Sequence, residues 1–170
     1  PKDVKEIAAY AGSIGEGESL FIKIDDLNEK RIGKLMAKYD ELVGGFAGKT
    51  VAVLGLSFKK NTNDVREAPS LKVIPWLIAK GATVRATDPK AIEVVKPLLP
   101  TNVSYFENPY EAIKGSGITM LLVEWDDYKN LNLAKVSEFM EAPKFLIDTR
   151  NQYSESIATS AGLKYKGIGR

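Results

Sequence analysis

The chain has 170 residues, of which 44% are hydrophobic and 27% charged. That suits one large or two small folded domains and excludes a disordered or fibrous chain. Lys and Arg total 24 against 22 Asp and Glu, for a net charge of +2. Bulk charge therefore gives no case for nucleic-acid binding, and any anion must be met by a local cluster. Cys and His are both absent. Disulfides, Cys/His zinc sites, a thiol nucleophile and His-based triads are excluded within these residues, which leaves carboxylates, Lys, Tyr and hydroxyls. No metal site is expected. The longest apolar run, Ile118 to Val123, is far too short for a membrane span, and no basic-then-apolar leader precedes it. A cytoplasmic location without membrane contact is expected. The sequence opens at Pro1 without Met and runs at once into a helical pattern, which reads as a fragment.

The first part of the chain has a helical period. Val4, Ile7, Ala8 and Ala11 share one face, and Asp3 with Glu6 resembles a capping box. Gly12 to Gly17 breaks the pattern. A second helix is predicted from about Glu18 to Val43, with Ile32, Leu35, Met36, Tyr39 and Val43 as its stripe and Gly44-Gly45 as its stop. From Thr50 the period changes. Val51 to Leu54 is a short continuous apolar run, the pattern of a strand buried on both faces. A polar loop, Ser57 to Glu67, leads to a helix from about Pro69 to Lys80. Pro75 fits badly there, because its ring clashes with the preceding turn, so a kink or a late start is expected. Ala82 to Thr87 reads as strand, Ala91 to Leu99 as helix and Val103 to Tyr105 as strand. Asn108-Pro109-Tyr110-Glu111 is a helix start. Ile118 to Val123 is strand, Leu133 to Met140 helix, Phe145 to Asp148 strand, Ser154 to Ala161 helix and Leu163 to Tyr165 a last strand.

This alternation predicts a Rossmann-like α/β domain over residues 48–170, a doubly wound parallel sheet of order 3-2-1-4-5-6, preceded by a helical segment over 1–47. Ligands of such sheets bind outside the carboxyl ends of the strands, at the switch between strands 1 and 4. Three loops meet there. The first holds Phe58, Lys59, Lys60, Asn61, Thr62, Asn63 and Arg66, the second Glu124 and Trp125, the third Arg150 and Asn151. Lys offers a point charge, Arg a bidentate fork and Trp a stacking face, which suits phosphates attached to a flat base. Plainer roles stand beside these. Lys59 and Lys60 suit a solvated loop, Arg66 suits an ion pair with Asp64 or Glu67, Trp125 suits the core, and Arg150 suits the surface. Asp3 suits a helix cap. Asp88 is either a ribose acid or a turn former before Pro89. The turn after strand 1 reads Gly55-Leu56-Ser57-Phe58-Lys59 rather than G-x-G-x-x-G, which argues against a standard dinucleotide site in this domain.

The run from Val53 through Gly55-Leu56-Ser57-Phe58-Lys59 and Asn61 to Leu71 closely resembles the UDP-binding domain of the UDP-glucose/GDP-mannose dehydrogenase family. So do Thr87-Asp88-Pro89-Lys90, Val123-Glu124-Trp125, Asp148-Thr149-Arg150-Asn151 and the closing Tyr165 to Arg170. Pro1-Lys2-Asp3 is similar to the tail of the family's catalytic Cys-Phe-Pro-Lys-Asp motif, and Asp26 to Lys30 to part of its long central helix. The resemblance implies an NAD-dependent, two-step oxidation of UDP-glucose to UDP-glucuronate through a Cys nucleophile, with this chain, inactive alone, as its C-terminal portion. It further implies that Asp3 helps orient the reacting water and that Lys2 and Arg66 reach NAD. Phe58, Lys59 and Arg150 would contact the substrate, and the helical segment would form a homodimer. Lys60 departs from the family, where many members carry Pro.

Other readings stay open. GDP-mannose and UDP-N-acetylhexosamine dehydrogenases share much of the pattern; Pro1-Lys2-Asp3 fits the UDP-glucose and GDP-mannose branches, and Thr87 to Lys90 leans to UDP-glucose. A stand-alone nucleotide-binding domain and a dimerisation scaffold with incidental phosphate loops are the rivals from other classes.

Overall fold

The structure, a computed structural model, describes residues 2–15 and 20–169. The side chains of Lys2 and Asp3 lie outside the described residues, as do Glu16 and Gly17 of the expected break and Glu18-Ser19 at the expected start of the second helix. The chain forms two compact units, Pro1–Leu42 and Val43–Arg170.

The first unit is two helices packed on each other, α1 (Lys2–Ser13) and α2 (Leu20–Leu42). Ala8 and Ala11 are buried as the apolar face of α1 requires, and Met36 and Tyr39 are buried on the expected stripe of α2. Ile7, assigned to the same α1 face, is instead exposed. No helix among the described residues is long and apolar enough to cross a membrane.

The second unit carries a six-stranded, wholly parallel sheet, flanked by helices, in the order β3-β2-β1-β4-β5-β6. The strands are β1 (Thr50–Leu54), β2 (Thr83–Thr87), β3 (Ser104–Tyr105), β4 (Ile118–Leu121), β5 (Phe145–Asp148) and β6 (Lys164–Gly167). The doubly wound order expected from the alternation is the one observed. The central strands are apolar throughout because both faces are covered: Val51 to Leu54 and all of β4 are buried. The unit begins before residue 48, because Phe46 is fully buried and meets Trp76 edge to face at 5.8 Å.

The crossover helices follow their start signals. Helix α3 (Ser70–Ala79) runs unbroken through Pro75, so the late start is not seen; Pro75 instead leaves the Leu71 carbonyl without its usual i+4 donor. The expected helix over Ala91 to Leu99 is divided. Helix α4 (Ile92–Val95) passes into a 3₁₀ turn, Lys96–Leu98, where Pro97 has no N–H to continue it. Helix α5 (Pro109–Ile113) is capped by Asn108, whose side chain accepts from Tyr110 N at 2.9 Å. A short helix that periodicity does not reveal, α6 (Asp126–Lys129), follows Trp125. Helices α7 (Leu133–Phe139) and α8 (Glu155–Ser160) complete the unit.

The strands end in register. Leu54 pairs with Leu121, Leu121 with Asp148, and Asp148 with Gly167, so the loops after β1, β4, β5 and β6 leave one edge side by side. Gly55 makes the first of these departures possible. It has a φ of +99°, and a Cβ there would lie 2.6 Å from Val123 Cβ and 2.7 Å from Val123 N. Gly55→Ala should therefore destabilise the domain by about 3 kcal/mol or more, from both backbone strain and overlap with Val123, just beyond β4. Denaturant unfolding measures this, and Gly12→Ala, at a site with open space, is the control.

Candidate ligand edge

The edge is organised by a buried carboxylate. Asp88, 2% exposed, follows β2 directly. Its Oδ2 accepts from Leu56 N at 2.7 Å, Ser57 N at 3.1 Å, Ser57 Oγ at 3.1 Å and Trp125 Nε1 at 3.2 Å. Its Oδ1 accepts from Lys90 N at 2.9 Å and Ala91 N at 2.8 Å. Asp88 is thus a turn former and more, joining the ends of β1, β2 and β4. It does not offer a free carboxylate to a ribose. The amides after β1 that would face a pyrophosphate are already taken, so the β1 turn does not fit a dinucleotide such as NAD.

Trp125 belongs to the core. It is 3% exposed and its indole N–H goes to Asp88, which removes it as a stacking face. Phe58, 39% exposed, is the open ring of the β1 loop.

The β1 loop folds back on itself. Phe58 N donates to Asp64 O at 2.8 Å and Asp64 N to Thr62 Oγ1 at 3.1 Å, while Ser57 Oγ, whose hydrogen goes to Asp88, lies 3.0 Å from Lys59 O. Arg66 forms the ion pair that its neighbours allow: Nη2 lies 2.7 Å from Asp64 Oδ2, and Nε donates to the same carboxylate. The Arg66 hydrogen bond is the main reason that the Asp64 carboxyl is lowered from 3.8 to about 2, with the Lys59 charge a smaller contribution; the pair in turn raises Arg66. Arg66 is 87% exposed, so the pair leaves it within reach of a partner from solvent. The Lys59 ammonium has no hydrogen bond or ion pair among the described residues, whereas Lys60 reaches Asp126 of α6 at 3.3 Å.

The β5 loop is held by a second buried carboxylate. Asp148 accepts from Arg150 N at 2.9 Å, Tyr153 N at 2.9 Å and Tyr165 Oη at 3.1 Å. Asn151, at a φ of 52°, accepts from Ile168 N at 3.0 Å and donates to Ile168 O at 3.1 Å, tying this loop to the end of β6. Tyr153 Oη donates to Tyr128 O, and Tyr128 Oη to Thr87 O at 3.0 Å. Burial pushes both phenols well above their ordinary range, so they act as fixed donors. Arg150 Nε donates to Leu122 O at 2.7 Å and lies 3.1 Å from Glu124 Oε2. The two terminal nitrogens of Arg150 have no partner among the described residues.

The three expected loops do converge: the Lys60–Asp126 pair joins the first to the second, and Arg150 with Glu124 joins the second to the third. Sequence reasoning placed Glu124 in its loop without a role and missed Asp126, Asp148, Tyr153 and Tyr165 as supports. The available signal was the repeated Asp at a strand end followed by a turn residue, Asp88-Pro89 and Asp148-Thr149.

The Asp64 carboxyl should titrate near pH 2, read by its carboxyl carbon shift, and return toward 3.8 in Arg66→Ala. The sign follows from the lowered value: the ion pair is fully present above the ordinary carboxylate range and is lost as pH falls through about 2. An unchanged midpoint in Arg66→Ala would show that the pair does not form in solution.

With this geometry in view, comparison with known proteins gives a consistent result. The UDP binding domain of the UDP-glucose/GDP-mannose dehydrogenase family matches residues 52–155. The chain is 40% identical over 170 residues to UDP-glucose 6-dehydrogenase YwqF of Bacillus subtilis, covering all of this chain and 38% of that protein. It is 34% identical over 176 residues to the UDP-glucose 6-dehydrogenase of Pseudomonas aeruginosa, covering 39% of it. The structure of a UDP-glucose dehydrogenase from the hyperthermophilic archaeon Pyrobaculum islandicum matches 98% of this chain, and 36% of its own length, with a TM-score of 0.79 at 28% identity. The chain thus spans under two fifths of the length of these relatives. A matching domain model over most of the sheet unit, and relatives that align along the whole chain, place this protein in the UDP-glucose/GDP-mannose dehydrogenase family.

Proposed function

We propose that this chain is the helical segment and UDP-sugar-binding portion of an NAD-dependent UDP-glucose 6-dehydrogenase, which converts UDP-glucose to UDP-glucuronate in two oxidations. The observation that carries the reading is the guanidinium of Arg150, held at Nε and open at both terminal nitrogens, at the edge where the loops after β1, β4 and β5 meet. Such a fork suits one phosphate of a diphosphate bidentately. Lys59, without a hydrogen bond or ion pair among the described residues, supplies a second charge, and Phe58 an exposed ring next to it in the loop.

In this reading the sugar's oxidation is completed by groups beyond these 170 residues. The chain has no Cys, so the nucleophilic thiol lies elsewhere. The β1 turn is closed to a dinucleotide, so NAD, which accepts the hydride, is held by another domain. Arg66 reaches it from this side by exchanging Asp64 for a cofactor phosphate. Lys2 reaches NAD from the start of α1, and Asp3 orients the water that releases the acid.

The helical segment supplies the dimer contact. Tyr10, Ile14, Leu20 and Leu27 are all at least 58% exposed, more apolar surface than two helices ordinarily leave to water. An isologous contact of α1 and α2 covers it. Light scattering over a range of concentrations should give twice the chain mass, and Leu20→Lys with Leu27→Lys should return it to the monomer.

UDP tests the ligand edge. A charge-assisted contact contributes about 1.5–3 kcal/mol, so Lys59→Ala and Arg150→Ala should each weaken UDP binding by roughly tenfold or more. Lys90→Ala, after β2, and Arg66→Ala should leave it unchanged. Magnetic resonance titration of the four variants decides; equal losses for Lys90 and Lys59 would mean general charge attraction and no site.

A further inference from the structure

We infer that Glu124 is a positioning residue for Arg150, fixing the guanidinium so that its two terminal nitrogens are presented to a phosphate. The inference deepens the proposed function and rests on Arg150 gripping the nucleotide. Arg150 Nε has a single hydrogen, and it goes to the Leu122 carbonyl at 2.7 Å. Glu124 Oε2 lies 3.1 Å from the same nitrogen but receives no hydrogen from it. That carboxylate oxygen is buried and accepts no hydrogen bond among the described residues.

A buried carboxylate oxygen without a donor is costly, and nothing in the sheet requires one. Glu124 lies beyond the end of β4, whose ladder to β1 and β5 is complete without it. Its charge is directed at one group, the Arg150 guanidinium. Arg150 is then held at both its backbone and its side-chain end. Asp148 fixes its backbone N–H, and Leu122 O and Glu124 fix Nε. A long side chain ordered in advance does not lose that freedom when the ligand arrives. The neutral turn of the sheet edge gains nothing from this arrangement; an anion bound to the fork does.

The sign of the effect separates this role from plain electrostatics. A carboxylate near a diphosphate repels it, so removing the charge alone would tighten binding. Loss of positioning weakens it. Glu124→Gln should weaken UDP binding by about threefold to tenfold, the ordering of one long side chain, with little change in thermal midpoint. In the Arg150→Ala background the same substitution should have no further effect. Glu124→Asp, which keeps the charge, should recover part of the loss.

The test is a magnetic resonance titration of the chain with UDP across wild type, Glu124→Gln, Glu124→Asp, Arg150→Ala and the Glu124→Gln/Arg150→Ala pair. Unchanged or tighter binding by Glu124→Gln overturns the inference while leaving Arg150 as the grip. An equal loss in both backgrounds also overturns it, because Glu124 would then act without Arg150. Arg150→Ala that binds UDP like wild type removes the grip itself, and the inference with it.

Discussion

The carboxylate of Asp88 holds three strand ends together, and the ligand edge depends on it. Six donors converge on its two oxygens, from the β1 turn, from the turn after β2 and from the indole of Trp125. Burying an ionised carboxylate costs several kcal/mol unless hydrogen bonds replace its water. Here the replacement consists of backbone amides, a hydroxyl and an indole, with no cation among the described hydrogen-bond donors. The consequence is a sheet edge whose β1 amides are already bound to an internal anion. In a dinucleotide-binding sheet those amides face the pyrophosphate. Here those amides are closed to an external anion, which leaves the side-chain cations of the β1 and β5 loops as the charges exposed at this edge.

Asp148 repeats the device on the other side of β4. Each aspartate sits at the end of a strand, takes the amide two residues on and also accepts from a neighbouring element, the β1 turn for Asp88 and β6 for Asp148. Tyr165 donates from β6 to the second carboxylate, and the Tyr153 and Tyr128 hydroxyls continue the chain of contacts back to Thr87 on β2. The hydroxyl network runs from one half of the sheet to the other. Loops whose cations face water are therefore carried on backbone that is fixed from below, the arrangement expected of a preorganised anion site.

Much of this was legible in the sequence because the central strands bury both faces. A continuous apolar run such as Val51 to Leu54, bounded by Thr50 and Gly55, has few other structural uses. The strand order followed from alternation and connection rules rather than from any single residue. The site was less legible. Trp125 could not be assigned from sequence, because an indole serves equally as core filler and stacking face until its N–H finds a partner, and that partner, Asp88, lies 37 positions away. Arg66 likewise had two uses, and the structure shows the local one. Helix α6 is a single turn, too short for a period to register. The Pro97 division of the expected fourth helix was readable in principle, since a proline removes the donor on which continuation depends.

The cations of the edge differ in how they are countered, and that difference shapes what they can do. Lys60 with Asp126 and Arg66 with Asp64 are exposed pairs, each worth about 0–1 kcal/mol, so solvent or a ligand exchanges them readily. Arg150 is only 33% exposed, and Glu124 meets it with a buried oxygen. That pair is not dissolved so easily, because separating it would leave the buried carboxylate oxygen without its counter-charge. Two of the three pairs can thus open to an incoming anion, while the third stays closed and offers the far side of its guanidinium. On the reading proposed above, a small anion would meet mostly countered cations, whereas an extended diphosphate would gain the fork of Arg150 together with the Lys59 ammonium, which has no ion pair among the described residues.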